Sequence, residues 1–183
     1  MQAIGIDVGG TNLRVARVSQ SGEIIETRSE RISRDPEVAL ERIVSLAKTL
    51  DSGDVAAIGV GIPGRVDSVA RRVLSGGFLD LSGVDLVEKL EAETGRHVLL
   101  DSDCNMALVA EMQAGAAKGR QHVVMLTIGT GIGGAIALDG EILRGRSSGG
   151  QLGHLTVVHE GLPCACGRRG CVETTVRAPR SGG

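Results

Sequence analysis

Two stretches of this chain repeat one local design, an apolar strand that ends abruptly in glycines and a threonine. The first is IGIDVGGTN (4–12) and the second, about 120 residues later, is LTIGTGIGGA (126–135). Glycine lets a backbone approach a bulky anion, and the exposed N–H groups and threonine hydroxyl of such a turn donate to phosphate oxygens. One glycine-rich hairpin is a common structural device. Two of them, each directly after a strand, point to a fold that offers phosphate turns twice. Residues 129–134 (GTGIGG) also fit a dinucleotide fingerprint through Gly129, Gly131 and Gly134. That fold needs a helix next, and IALDG does not read as one.

The segments between the two turns predict an α/β chain. Residues 2–8, 13–19 and 23–30 read as three strands joined by short turns, an antiparallel meander. Asp35 and Pro36 form a helix start, and Leu40, Ile43, Val44, Ala47 and Leu50 recur at helical spacing. VAAIGVGI (55–62) is nearly all apolar, as a strand buried on both faces requires. Residues 63–83 read as an excursion or hairpin. A helix at 85–94, a strand at 97–101 and a helix from Asp103 to about Ala117 follow, before strands at 123–129 and 134–140.

Composition removes several function classes. A net charge of −2 gives no electrostatic footprint for nucleic acid. With one Phe and no Trp or Tyr, base-stacking platforms and aromatic sugar grooves are disfavoured, and the core must be filled by Val, Ile, Leu and Ala. The first residues lack a basic n-region, and no apolar run approaches the ~20 residues that span a bilayer, so a cytoplasmic protein with no membrane partner is expected.

Two further groups carry chemistry. Asp101 and Asp103 fall at the junction of a buried strand and a helix. Asp103 reads either as a helix N-cap or as a general base at the carboxyl end of a sheet strand, and both roles are compatible. His154, Cys164, Cys166 and Cys171 give the spacing H-x9-C-x-C-x4-C, one imidazole and three thiolates suited to a closed, structural tetrahedral zinc site. Cys104 lies far from them and reads as a small buried residue.

These motifs converge. IDVGGTN (6–12), GIPGRVD (61–67), DSDCNMALVAE (101–111), LTIGTGIGGA (126–135), QLGH (151–154) and CACGRRGCVE (164–173) resemble, in order, the ROK family of sugar kinases and sugar-responsive repressors. The resemblance runs from residue 3 to about 174. It implies an α/β, actin-like (ribonuclease H-like) ATPase fold of two lobes, with the sugar between them and ATP with Mg²⁺ on the phosphate turns. On the resemblance, Asp7, Gly9, Gly10, Thr11 and Asn12 form the first phosphate motif, and Gly129, Thr130, Gly131 and Gly133 form the second. Asp103 takes the place of the base that deprotonates the sugar 6-hydroxyl. His154 would ligate zinc and lie near the sugar hydroxyls, Glu173 would accept a sugar hydroxyl, and Gly64 and Arg65 would border the sugar.

The implied activity is glucokinase-like phosphorylation of a hexose. The alternatives are an N-acetylmannosamine or N-acetylglucosamine kinase, or an inactive fragment that binds sugar and zinc. A repressor would carry a helix-turn-helix before the first strand, which here begins at once. A homodimer is a family habit. Three departures touch the sugar side: Ser102 stands where Asn often precedes the base, Gln151 stands where Glu opens the E-x-G-H element, and Gly77 replaces Asn or Thr. The expected division is an N-terminal lobe over 1–118, the start of an incomplete second lobe over 119–175, and an atypical tail, 176–183, whose sequence departs from the family's continuation.

Overall fold

The computed structural model describes residues 1–129 and 131–176. The opening meander forms as β1 (Gln2–Val8), β2 (Asn12–Ser19) and β3 (Ile24–Arg31). It is followed by α1 (Pro36–Leu50) and β4 (Val55–Ile62), a small hairpin of β5 (Arg65–Asp67) and β6 (Arg72–Ser75), then α2 (Leu86–Thr94), β7 (His97–Ser102) and α3 (Asp103–Ala114). The remaining elements are β8 (Val123–Ile128), β9 (Ile132–Leu138), β10 (Glu141–Ile142), a 3₁₀ turn at Leu152–His154 and α4 (Val172–Val176).

The chain divides into two compact units, Met1–Ala110 and one from Glu111 onward, so the division falls inside α3 rather than after residue 118. The first unit holds a five-stranded sheet in the order β3-β2-β1-β4-β7. The meander is antiparallel, whereas β4 runs parallel to β1 and to β7. That mixture brings the carboxyl ends of β1, β4 and β7 to one end of the sheet, the position where open α/β sheets hold ligands.

Alternation decides which face of β1 is packed. Ile4, Ile6 and Val8 are buried, while Gly5 and Asp7 point to the opposite face. The buried set joins Leu13, Val15, Ile58 and Val60 with the apolar stripe of α1 (Ala39, Leu40, Ile43, Val44, Ala47, Leu50) and with Leu86 and Leu90 of α2. Asp35 caps α1 by accepting the N–H groups of Glu37 and Val38, at 3.0 and 3.1 Å, and Pro36 supplies the first helical position. Gly95 ends α2 at φ +69°, where an L side chain would be strained.

In the second unit the sheet has three strands in the order β10-β9-β8. Two boundaries differ from the sequence expectation. Helix α3 stops at Ala114 because the Glu111 carboxylate turns back to accept the N–H of Ala116 at 2.7 Å, in the space a side chain at Gly115 would fill. Strand β9 begins at Ile132, so Gly133 and Gly134 belong to the ladder, Gly133 facing Thr127 and Gly134 facing Leu126. A Cβ on Gly134 would fall 2.7 Å from the Leu152 side chain, so glycine there seats the 3₁₀ turn. Among the described residues no helix is long and apolar enough to cross a membrane.

Candidate active site and metal-ligand cluster

One row of residues crosses four strands at the ligand end of the first sheet. Arg14 of β2 faces Asp7 of β1, Asp7 faces Gly61 of β4, and Gly61 faces Asp101 of β7. Asp7 is exposed and pairs with Arg14 at 3.3 Å. Asp101 is buried, and its Oδ1 accepts the Ser102 N–H and the Asn105 side-chain amide, both at 2.8 Å. Gly61 lets α3 approach, since a Cβ there would lie 3.2 Å from the Cα of Asp103.

Asp103 is the first residue of α3 and not its cap. Ser102 takes that role, its Oγ accepting the Asn105 N–H at 3.2 Å. The Asp103 side chain is half-buried, with Oδ1 accepting the adjacent Cys104 N–H at 2.8 Å. Ser102, at the place of a family Asn, thus frees Asp103 from capping the helix.

The first glycine turn lies at the same end of the sheet. The Gly9 N–H donates to the Asn12 carbonyl at 2.9 Å, and a Cβ on Gly9 would meet that same oxygen at 2.9 Å. The Thr11 carbonyl accepts the Ile32 N–H at 3.1 Å, tying the β3–α1 connection to the turn. Gly64 leads into β5 at the base of the β5–β6 hairpin at φ +112°, with the Ser75 carbonyl where a Cβ would stand, and Arg65 is exposed opposite Ser75.

The second turn belongs to the other unit. The Gly129 N–H donates to the Gly131 carbonyl at 2.9 Å, while Thr130 lies outside the described residues. Glu173, in the first turn of α4, reaches this turn: its Oε2 accepts the Ile132 N–H at 2.8 Å and occupies the space that a Cβ on Gly131 would need. Gln151 is half-buried just before the 3₁₀ turn that carries His154. Gly133 lies in β9, opposite Thr127 and two residues beyond Gly131.

His154, Cys164, Cys166 and Cys171 offer four donor atoms that all lie within 4.8 Å of one another. Cys164 Sγ is 3.5 Å from His154 Nδ1, and Cys166 Sγ is 3.6 Å from Cys171 Sγ. Burial pushes the Cys171 thiol up to about 11, whereas the Arg168 N–H holds Cys166 below its ordinary range. A divalent ion reverses such burial costs by drawing off the thiol proton, and soft thiolates with one imidazole suit zinc. The donor set and its compactness fit that ion, with a turn at Gly167 (φ +86°) bringing the cysteines back on themselves.

Sequence reasoning missed two contributors. Asn105 is buried and anchors Asp101, a role signalled only by an amide four residues after a carboxylate. Phe78, the chain's single aromatic residue, lies against Gly10, where a Cβ would stand 3.6 Å from its ring.

A family model described as the ROK family matches residues 3–178. The chain is 37% identical over 183 residues to a glucokinase of Thermotoga maritima, covering 97% of this chain and 58% of that protein. It is 35% identical over 180 residues to an N-acetylmannosamine kinase of Citrobacter koseri, covering 94% and 60%. Among solved structures it matches a ROK family glucokinase from Streptomyces griseus in complex with glucose and AMPPNP. The TM-score is 0.86 at 34% identity, over 94% of this chain and 56% of that one. The chain therefore spans a little over half the length of the relatives it matches.

Proposed function

The chain belongs to the ROK family, and on that premise we propose that it is the phosphate-turn and base-bearing part of a cytoplasmic sugar kinase. The reaction is transfer of the γ-phosphoryl group of ATP to the 6-hydroxyl of a hexose. The observation that carries this reading is the placement of Asp7, the Gly9–Gly10 turn and Asp103 at the ligand end of one sheet. Likeness to glucokinases over nearly the whole chain supports glucose as the first substrate to test, and likeness to an N-acetylmannosamine kinase makes that amino sugar the second.

Phosphoryl transfer asks for alignment, charge neutralisation and a base on the nucleophile, with little covalent work by the protein. Asp103 accepts the 6-hydroxyl proton as that oxygen bonds to the γ-phosphorus and the bond to the β–γ bridging oxygen breaks, releasing ADP. Among the described residues the Cys104 N–H engages Oδ1 of Asp103, which leaves Oδ2 to take this proton. The glycine turns donate N–H groups to phosphate oxygens, and Asp7 is the carboxylate beside the first turn that would hold a magnesium-bound water. Magnesium, when bound, neutralises charge on the phosphoryl oxygens. A zinc ion held by His154 and the three cysteines would have a structural role, and Gln151, His154 and Glu173 are assigned to sugar hydroxyls on the family resemblance alone. Cytoplasmic conditions keep those thiols reduced and available as ligands.

The test is coupled ADP release with glucose, N-acetylmannosamine and N-acetylglucosamine, comparing Asp103→Asn with the parent chain. Turnover that needs Asp103 is expected. Turnover retained in Asp103→Asn removes the base assignment, and hexose binding without turnover in the parent chain supports the sugar- and zinc-binding fragment instead.

A further inference from the structure

Two loops meet beside the first glycine turn, and they carry a cation that the family motifs do not include. The Ile32 N–H binds the Thr11 carbonyl, so the β3–α1 connection is pinned to the turn. The loop after β6 is pinned by Asp80, whose Oδ1 accepts the N–H groups of Gly76 and Ser82 at 2.9 and 3.0 Å. That loop carries Phe78, whose side chain a Cβ on Gly10 would meet at 3.6 Å. The Arg34 guanidinium lies 4.0 Å from the centroid of the same ring.

The acidic residues of these two loops have backbone partners of their own. Asp35 Oδ1 caps α1 and Asp80 Oδ1 holds its own loop. Among the described residues no carboxylate lies within ion-pair distance of Arg34. The side chain is solvent-exposed, yet its planar head is oriented by stacking on the aromatic face, a contact that arginine makes well. An oriented, unneutralised guanidinium beside a phosphate-type turn is the arrangement that recognises phosphate oxygens with paired N–H donors.

We infer that Arg34 is a phosphoryl-binding residue of the first glycine turn and that Phe78 is the positioning residue that aims it. This rests on the kinase reading for its substrate, but it makes a separate claim: the chain's first unit carries its own cation for phosphoryl oxygens.

The experiment is calorimetric titration of the full chain with inorganic pyrophosphate, without added metal, and separately with glucose. Arg34→Gln, Arg34→Lys and Phe78→Leu are compared with the parent. Loss of a charge-assisted contact predicts pyrophosphate binding about tenfold weaker in Arg34→Gln, and losing the stack predicts about threefold in Phe78→Leu. Arg34→Lys falls between, and glucose binding is unchanged in both Arg34 variants. Pyrophosphate affinity unaltered by Arg34→Gln overturns the inference and leaves the kinase reading standing. So does a parent chain that binds glucose but no pyrophosphate. Arg34-dependent pyrophosphate binding with no glucose binding supports the inference while removing the hexose assignment, and binding of neither ligand overturns both.

Discussion

Glu173 and Ile132 are 41 residues apart in sequence, and the carboxylate of the first holds the backbone N–H of the second at 2.8 Å. The contact joins the start of α4, two residues after Cys171, to the end of the second glycine turn. Gly153, next to His154, packs so closely on the Ile132 carbonyl that no Cβ would fit there. Ile132, at the end of the turn, is thus held through both its N–H and its carbonyl by neighbours of two metal-ligand candidates.

Glu173→Ala removes the acceptor from a part-buried N–H, a loss worth on the order of 1.5–3 kcal/mol for a charged partner. Amide hydrogen exchange at Ile132 is expected to speed up by about tenfold or more, whereas Glu173→Gln, which keeps an acceptor oxygen, changes it much less. Equal exchange in the parent and Glu173→Ala would show that the contact does not hold the turn.

The metal cluster predicts one zinc per chain after dialysis. Cys166 is exposed while Cys164 and Cys171 are buried, so Cys166→Ser tests ligation with least disturbance of packing. Zinc content near zero in Cys166→Ser and near one in the parent is expected, with a fall in the melting temperature that a chelator reproduces in the parent. A parent chain without zinc, or a Cys166→Ser variant that keeps it, overturns the ligand set.

For Asp103→Asn the expected effect is loss of turnover by at least about a hundredfold, the usual scale for a positioned base. Hexose affinity should move by only a few-fold, because an amide keeps hydrogen-bonding capacity. The pairing of these two measurements distinguishes a base from a group that merely binds sugar: ADP release reads the first and calorimetry reads the second.

Much of the fold was legible because it is written in short-range pattern. The alternation of Ile4, Ile6 and Val8, the helical recurrence from Leu40 to Leu50 and the Asp35–Pro36 start are local signals, and each maps onto an element. The four residues of the H-x9-C-x-C-x4-C spacing likewise lie together, with donor atoms within 4.8 Å of one another. What stayed hidden depends on where strands end and on contacts that residue type does not mark. Ser102 rather than Asp103 caps α3 because the cap is set by which residue leaves the strand, a boundary that residue type alone leaves open. Gly133 belongs to β9 because Thr127 pairs with it and Leu152 packs on the next residue. Nothing around Arg34 or Phe78 marks them as neighbours 44 positions apart, since a stacked cation has no sequence period.

Glu91 gives the first unit a defined acid response. Its carboxylate is held below its ordinary value of 4.5, first by the Val98 N–H, which donates at 3.0 Å, and then by the Arg71 guanidinium. These contacts join α2 to β7 and to the end of the β5–β6 hairpin. A carboxylate whose folded pKa is depressed contributes stability that is fully present above its unfolded pKa. That contribution is lost as pH falls through the folded value. The expectation is that Glu91→Gln lowers the melting temperature at neutral pH, and that the difference from the parent shrinks as pH falls below about 4.5, where the parent's carboxyl becomes neutral like the variant's amide. Arg71→Gln should show the same narrowing with smaller amplitude, because the Val98 N–H remains. Thermal melts from pH 7 down through this window read the difference directly, and a gap that stays constant with pH would mean that Glu91 acts through packing and not through its charge.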